Sequence, residues 1–521
     1  MTKYISILTL LLITTISQAK IEQTYFCQDS LGKTPIRQGG RVKPLYVHSR
    51  ELIKFLTGKR SYENLSSVQV YCLLSLEGMQ LKNDIKLKAR VDNIEAQKFL
   101  ELDTEKGQKT MLLADLVDEI PKLRREVSRN KVQDSRVKAL STLLNQAALY
   151  RQITSGQNWL FPAVTNDRVD WIPLTAFLQE GKVEAAKKMS QTPFLYVINQ
   201  EVSRYLKLKG DDHLLEYKFV KARLPIISMV LTLLALAALT LFKKFNVALV
   251  LAFSTVLVQV VLITIRVLIS GRAPITNMYE TVMFSGFGAL CLSLIVGHIK
   301  KEKTFLYMGL MYNACTLMMM NFATGMLSES ISPLVPVLRD NFWLSTHVTL
   351  IIMSYGALAL SWILANTVLI KKRFGTISKK DETYYSDLIY STLKYGTVML
   401  GGGIILGGVW ADYSWGRFWG WDPKETWSLI AFIIYMAILH GRYTSWIPTS
   451  RFISLVAGAF MSIMMAWFGV NYILASGLHS YGFSEGGALF LGGFFIVQTA
   501  LIIITNVGVS SAKSSDNFPT T

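Results

Sequence analysis

Long apolar runs in the second half of the chain constrain its fold more than any other feature. From Leu224 onward there are about nine apolar stretches, each near the roughly 20 helical residues that cross a bilayer. They lie near residues 224–242, 245–269, 278–299, 304–326, 343–370, 392–410, 423–440, 452–475 and 487–507. A bilayer core offers no water to backbone polar groups, so such stretches must be helical. We therefore expect a mainly α, polytopic membrane protein with about nine transmembrane helices.

The basic residues between these stretches indicate an orientation. The formal net charge is +18, but no nucleic-acid-binding motif accompanies it, so no nucleic-acid partner is expected. Alternate loops are rich in Lys and Arg, at Lys243, Lys244, Lys300, Lys301, Lys303, Lys371, Lys372, Arg373, Lys379, Lys380, Arg442 and Arg451. The intervening loops contain Arg272, Arg339, Arg417 and Lys424. The positive-inside rule places the first set in the cytoplasm and the second set outside.

The N-terminus has the pattern of a secretory signal. Lys3 precedes an apolar stretch over residues 4–16, and small residues follow at Ser17 and Ala19. An uncleaved anchor helix is the alternative, and it leaves the next segment on the same side. The predicted organisation is a signal peptide at 1–19, a periplasmic domain at 20–222, a transmembrane domain at 223–510 and a cytoplasmic tail at 511–521.

The predicted periplasmic domain is mixed in composition and mostly helical in pattern. SRELIKFLTG predicts a short amphipathic helix that ends at Gly58. PIRQGGRVKPL predicts a hairpin that turns at Gly39 and Gly40, because adjacent positive-φ positions suit glycine. Residues 111–150 predict one or two longer helices, with a break at Pro121.

The chain has four cysteines, too few for a disulfide scaffold. Cys27 and Cys72 lie in the predicted periplasmic domain, whereas Cys291 and Cys315 lie within apolar runs. Cys27 and Cys72 either pair in an oxidising compartment or remain two thiols, and the sequence leaves both alternatives open. The sequence has no CxxC pair that would indicate redox chemistry.

The segment WGRFWGWDPKETWSLI, residues 415–430, contains a helix start. Asp422 is a preferred N-cap residue, Pro423 suits the first helical position, and Glu425 completes a capping box. The residues before Asp422 are therefore predicted to form a loop at the outer membrane face.

Five of the eleven tryptophans lie between Trp410 and Trp427. Trp415, Trp419 and Trp421 precede the predicted helix, and Trp427 begins its apolar body. An interfacial aromatic belt is the alternative, since Trp is common at that depth. A belt spreads its rings over many helix ends, however, so the clustering favours a surface for a large planar apolar ligand.

Three histidines have positions that suit ligation. His347 begins the fifth predicted membrane helix and His479 follows the eighth, both on the side of the tryptophan loop. Either one alone suits a hydrogen-bonded interfacial histidine, but two imidazoles on opposite faces of a planar ligand are what a six-coordinate haem iron requires. His440 lies roughly 25 Å beyond Pro423 along its helix, and is either a functional intramembrane group or a helix-end residue that reaches the interface.

These motifs resemble a known family. WGRFWGWDPKETWSLI resembles the tryptophan-rich signature, the WWD motif, of the cytochrome c assembly family, in particular its CcsA/ResC (system II) type. APITNMYETVMF, FWLSTHV, ILHGR and GLHSYG are also similar to that type, and the resemblance covers about residues 225–508. The stretch PIRQGGRVKPLYVHSRELIKFLTGKRSY is similar to the periplasmic part that precedes CcsA in fused CcsB–CcsA proteins.

The resemblance implies a function in cytochrome c biogenesis at the bacterial inner membrane. It implies a holocytochrome c synthase (haem lyase) subunit that presents haem b to the reduced CxxCH motif of an apocytochrome c. The implied partners are a CcsB/ResB-like membrane subunit and the thiol-reducing proteins of the pathway. The implied haem-binding residues are Trp415, Trp419, Trp421, Asp422 and Trp427, with His347 and His479 as axial ligands and His440 as a transmembrane ligand whose companion histidine belongs to the CcsB-like subunit.

The sequence leaves two other functions open. One is a haem transporter or haem-to-chaperone loader without attachment chemistry. The other is a non-haem transporter or structural subunit whose tryptophans only anchor it at the interface. Arg417 and Lys424 are either partners of haem propionates or solvated loop charges.

Overall fold

The computed structural model describes residues 27–79, 83–103, 107–130, 135–179, 193–334, 336–474 and 487–506. The chain divides into two compact units, Met1–Ala222 and Arg223–Thr521. The predicted signal peptide at 1–19, the predicted tail at 511–521 and His479 lie outside the described residues.

The first unit combines short helices with β-hairpins. Its helices are α1 Leu45–Thr57, α2 Ser67–Leu76, α3 Ile94–Phe99, α4 Leu113–Asp118, α5 Ile120–Arg129, α6 Ser135–Thr154, α7 Leu174–Gln179, α8 Pro193–Lys209 and α9 His213–Ala222. Its strands form antiparallel pairs: β1 Pro35–Gln38 with β2 Arg41–Pro44, β3 Ser61–Tyr62 with β4 Leu65–Ser66, β5 Lys88–Arg90 with β6 Thr110–Leu112, and β7 Leu160–Thr165 with β8 Arg168–Pro173. The sequence predicted the first of these hairpins and the helix α1 that follows it.

The predicted first hairpin and the helix after it are confirmed. The β1–β2 turn places Gly39 at φ +58° and Gly40 at φ +82°, values that glycine adopts without a Cβ clash. α1 ends at Gly58, which caps it at φ +76° and donates its N–H to the Lys54 carbonyl. The predicted break near Pro121 is also present: α4 ends at Asp118, and α5 begins at Ile120 with Pro121 in its first turn.

The first unit has its own core. Tyr71, Trp159, Phe161 and Phe177 are almost completely buried in it. Cys27 and Cys72, whose pairing the sequence left open, are joined by a disulfide within the same core. A crosslink across 45 positions of sequence stabilises the unit chiefly by restricting its unfolded chain.

The second unit is a bundle of long helices. They are α10 Leu224–Thr240, α11 Phe245–Ser270, α12 Met278–Lys300, α13 Thr304–Phe322, the short α14 Asn341–Trp343, α15 Thr349–Arg373, α16 Lys379–Trp415, α17 Pro423–Tyr443, α18 Thr449–Met464 and α19 Gly487–Asn506. Two π-helical segments interrupt the regular geometry: Leu344–Val348 joins α14 to α15, and Met465–Leu474 continues α18. Each of the nine predicted apolar stretches coincides with a helix of this unit.

Seven helices of the described chain are long and apolar enough to cross a membrane, which confirms a mainly α, multi-pass membrane protein. α13 and α17 coincide with predicted spans but are not among the seven. Asn313 and Asn321 in α13, and His440 and Arg442 in α17, lower the mean hydropathy of these two helices. Asn313 is fully buried and hydrogen-bonded to Thr232 and Gln259, so it joins three helices inside the bundle.

α16 is much longer than its predicted span at 392–410. Its 37 residues extend over roughly 55 Å, whereas the hydrocarbon core of a bilayer is about 30 Å thick. The helix begins in a charged stretch, with Ser378 as N-cap. α16 packs closely on α15, because a Cβ added at Gly396 would come within 2.6 Å of Leu358 and one at Gly403 within 2.6 Å of Ile351.

Candidate functional site

A cavity of about 140 Å³ lies at the end of the second unit that contains the tryptophan loop. Its walls come from the start of α12, the two π segments, α15, α16, and the loop that leads into α17. The lining side chains are mostly apolar or aromatic with a few polar groups among them, as in most ligand sites. They include Asn277, Met278, His347, Tyr355, Trp410, Phe418, Trp419, Lys424, Glu425, Trp467 and Asn471.

His347 enters this cavity from the first π segment. Its Nδ1 donates a hydrogen bond to the Gly403 carbonyl at 2.8 Å, which leaves the lone pair of the neutral imidazole on Nε2. Its ring lies edge-on to Trp410, with ring centroids 5.7 Å apart. Gly407 provides the space for the ring, because a Cβ there would lie 2.6 Å from His347 Cε1. Metal-ligating histidines commonly have their second ring nitrogen held by a backbone carbonyl in this way.

The predicted start of α17 is confirmed. The Asp422 side chain accepts hydrogen bonds from the backbone N–H groups of Lys424 and Glu425, and Pro423 occupies the first turn. Glu425 Oε2 accepts from the Gly420 N–H at 2.6 Å as well as from that of Asp422. The capping box thus fixes the end of the loop as well as the first turn of the helix.

The tryptophans of the motif do not share one environment. Trp419 lines the cavity. The ring of Trp421 lies edge-on to the ring of Trp419, with the ring centroids 5.9 Å apart. Trp421 is 69% exposed and has φ +57°, a conformation that is unfavourable for a bulky residue and that concentrates at functional sites. Trp415 lies at the end of α16 beneath the Arg417 guanidinium. Trp427 lines a different cavity.

Several buried polar atoms in and next to the tryptophan loop have no hydrogen-bond partner in the described residues. The indole nitrogens of Trp410 and Trp419, Nη1 of Arg417 and Oε1 of Glu425 are four of the ten such side-chain atoms in the described residues. Arg417 and Glu425 still attract one another across 3.6 Å. Buried donors without acceptors are uncommon in native proteins, so this clustering is consistent with a site that binds a ligand with polar groups.

A buried ion pair supports the part of the cavity wall at the start of α12. Glu280, in the first turn of α12, pairs with Arg266 of α11 at 2.7 Å, and both side chains are at most 2% exposed. Glu280 also accepts hydrogen bonds from the N–H and the hydroxyl of Thr276. Asn277 caps α12 through the Glu280 N–H. Thr276, Asn277 and Met278 form part of the cavity wall, so the ion pair positions that wall.

The remaining predicted histidine lies elsewhere. His440 is exposed near the end of α17, where its Nδ1 donates to the Met436 carbonyl at 2.8 Å. It does not line the first cavity, nor a second, more open cavity of about 890 Å³ between α17, α18 and α19, which Trp427 does line. Of the predicted site residues, the structure therefore brings His347 and Trp419 to one cavity, with Asp422 and Trp421 beside it.

Sequence reasoning missed several residues of the site. Trp467 and Asn471 lie in the second π segment, and neither belongs to a predicted motif. Phe418 packs against Gly408, where an added Cβ would come within 2.5 Å of the Phe418 ring. The run GGGIILGG in α16 was a usable signal, since glycines inside a helix indicate close approach of neighbouring groups.

Comparison with known proteins identifies the family of this chain. The model of the family "Cytochrome C assembly protein" matches residues 275–479. A cytochrome c biogenesis protein CcsA from Guillardia theta is 32% identical over 273 residues, which cover 46% of this chain and 89% of the relative. The chain belongs to the CcsA family of cytochrome c assembly proteins.

Other relatives extend the comparison. A CcsA protein from Chlamydomonas reinhardtii is 34% identical over 234 residues, or 44% of this chain and 66% of the relative. Protein NrfI from Wolinella succinogenes is 27% identical over 496 residues. That match covers 85% of this chain, including part of the first unit, but only about half, 53%, of NrfI. Membership of the CcsA family implies haem handling in cytochrome c biogenesis.

Proposed function

We propose that this protein binds haem b at the cavity beneath the tryptophan loop and presents it for covalent attachment to the CxxCH motif of apocytochromes c. The observation that carries the proposal is His347: its Nδ1–H is held by the Gly403 carbonyl, so the lone pair with which a neutral imidazole coordinates iron lies on Nε2, in a ring that lines an aromatic cavity. Membership of the CcsA family supplies the biological setting.

The size of the cavity supports presentation rather than enclosure. At about 140 Å³ it is smaller than the roughly 300 Å³ at which pockets for drug-sized ligands begin, and haem exceeds such ligands. The described residues would therefore enclose a bound haem only in part, and the exposed Trp421 packs on Trp419 of the cavity wall. An accessible edge is what attachment of two vinyl groups to two cysteines requires.

The chain's residues have distinct roles in this proposal. His347 is one axial ligand, and His479, which lies outside the described residues, is the other. Trp419 and Trp421 provide aromatic contacts, and Asp422 holds the loop through the capping box. Thioether formation needs thiolates, and these come from the apocytochrome, so the chain itself needs no reactive cysteine.

The proposal includes partners and an orientation. A CcsB/ResB-like membrane subunit supplies the companion histidine for His440, and the thiol-reducing proteins of the pathway keep the CxxCH cysteines reduced. The first unit and the tryptophan loop face the periplasm across the bacterial inner membrane.

The first test is the visible spectrum of the detergent-purified chain. The wild type is expected to carry low-spin ferrous haem, and His347→Ala and His479→Ala to lose or shift that spectrum and recover it with added imidazole. His298→Ala is the matched control, because His298 is exposed near the end of α12 and does not line the cavity. A colourless wild type, even with a CcsB-like partner present, would refute haem binding.

The second test separates attachment from transport or loading. Cells lacking their own assembly proteins receive this chain, a CcsB-like partner and an apocytochrome c, and covalent haem is measured on denaturing gels. Attached haem that depends on His347 supports the synthase function. Bound haem in the purified chain without attachment in these cells would instead indicate a haem transporter or loader.

A further inference from the structure

Lys424 is a cationic side chain of the cavity that is in direct contact with no carboxylate of the described residues, although the nearby charge of Asp422 attracts it. Its Nζ donates to the Asn471 side-chain oxygen at 3.3 Å, and it forms no ion pair in the described part of the chain. Both residues line the cavity, and Asn471 is 7% exposed. A neutral amide does not compensate a positive charge, so the cavity wall carries a cation that a bound anion would neutralise.

The nearby acidic groups are already engaged. The Asp422 carboxylate accepts the two backbone N–H groups that begin α17. Glu425 accepts two backbone N–H groups and lies 3.6 Å from Arg417. Arg417 is thus paired with Glu425, and its guanidinium lies 5.9 Å from the centre of the Trp415 ring. Of the two cations that the sequence offered for an anionic ligand group, Arg417 forms an ion pair and Lys424 forms none in the described residues.

We infer that Lys424, oriented by Asn471, binds a carboxylate of the ligand and so selects an acidic porphyrin over a neutral one. The inference rests on the proposed function, and it specifies the part of haem that this wall recognises, namely a propionate. Asn471 comes from the π segment and Lys424 from the first turn of α17, so the two side chains meet through tertiary packing. A charge-assisted hydrogen bond in a partly dry cavity gives such a contact selectivity.

The test compares haem with its dimethyl ester, in which both propionates are neutral. The purified full-length chain is titrated with each, and the dissociation constants are taken from the low-spin absorbance. Wild type is expected to prefer haem by roughly tenfold or more, the value of one charged hydrogen bond. Lys424→Met and Lys424→Gln should lose that preference while keeping the His347-dependent spectrum, and Lys424→Arg should retain it.

Lys394→Met is the matched control, since Lys394 is an exposed lysine of α16 that does not line the cavity. It should keep the wild-type preference. If Lys424→Met and Lys424→Gln still prefer haem over the ester as wild type does, the inference is wrong although haem binding stands. If the wild type shows no low-spin spectrum with either porphyrin, the proposed function fails, and this inference with it.

Discussion

His347 shows how much a single side chain depends on its neighbours. A histidine at a helix end has two ring nitrogens, and its sequence context does not say which one carries the proton. The hydrogen bond to the Gly403 carbonyl assigns the proton to Nδ1, and the missing side chain at Gly407 makes room for the ring. Both contacts come from α16, more than fifty positions further along the chain.

Gly407→Ala should therefore impair haem binding although it replaces glycine by a better helix former. Its Cβ would lie 2.6 Å from His347 Cε1, so the imidazole must move from its present position. Gly402→Ala is the matched control on the same helix, because its nearest contact is Leu350 at an ordinary 3.5 Å. We expect a lost or shifted low-spin spectrum for Gly407→Ala and a wild-type spectrum for Gly402→Ala. Equal spectra in the two variants would contradict the role of Gly407.

Some features of the helices depend on residues close together in the sequence, and others depend on contacts between distant residues. The capping box at Asp422 was predictable, because its partners are within five residues of one another. The two π segments were not, although both line the cavity and such segments are frequent at functional sites. The tie between α11 and the start of α12 likewise rests on Arg266 and Glu280, whose pairing no motif revealed.

Breaking the Arg266–Glu280 pair from one side should destabilise the second unit strongly. Arg266→Met leaves a buried carboxylate without its cation, at a cost of about 3–5 kcal/mol. The double variant Arg266→Met, Glu280→Gln should regain much of that stability, because no charge then remains unpaired. The measurement is a set of thermal unfolding midpoints in detergent, combined as a double-mutant cycle.

The control cycle uses Lys372→Met and Glu382→Gln, an ion pair of the same unit whose side chains are 19% and 14% exposed. Solvent screening should make its coupling smaller. A coupling for Arg266 and Glu280 no larger than this one would contradict the positioning role of the buried pair.

At the scale of the whole molecule, the chain forms two units with separate cores, and the first contains a buried polar network. His48 is fully buried there, with its Nδ1 2.7 Å from Gln38 Oε1 and its Nε2 3.0 Å from Asn158 Oδ1. Burial, and next the charge of Lys43, lower the pKa of His48 from 6.5 to about 3. The imidazole is therefore neutral in the folded unit near neutral pH.

This network should make the first unit sensitive to acid. The unfolded chain binds a proton on His48 below pH 6.5, while the folded chain does not. The contribution of neutral His48 to the free energy of unfolding is therefore fully present above pH 6.5. As the pH decreases below 6.5, the free energy of unfolding falls by about 1.4 kcal/mol per pH unit, until the pH reaches the pKa of His48 in the folded state. Hydrogen-exchange protection factors of α1 and α2, measured in the full-length chain, should fall with that slope.

His48→Gln serves as the comparison, because glutamine does not titrate and can keep one hydrogen bond of the network. Its first unit should show a shallower pH dependence than wild type. The same slope in both proteins would show that other groups cause the acid sensitivity, and the second unit's protection factors report whether any change is confined to the first.

Patterns of short range were readable without coordinates. The apolar runs, the hairpin at Gly39 and Gly40, the end of α1 at Gly58 and the start of α17 all depend on residues close together in the chain. Bilayer thickness, backbone sterics and helix capping are properties of such neighbours, so composition and spacing were enough to predict them. The mainly α membrane architecture and the family resemblance followed from these patterns and are confirmed.

The chemistry of the cavity depended on contacts between distant parts of the chain. Folding places His347 against Gly403, pairs Arg417 with Glu425, leaves Lys424 beside Asn471, and directs Trp427 to another cavity. Which nitrogen carries a proton, and which cation forms an ion pair, are decided by groups that meet only in the folded chain. A single sequence lists these side chains, whereas their pairing is a property of the folded chain.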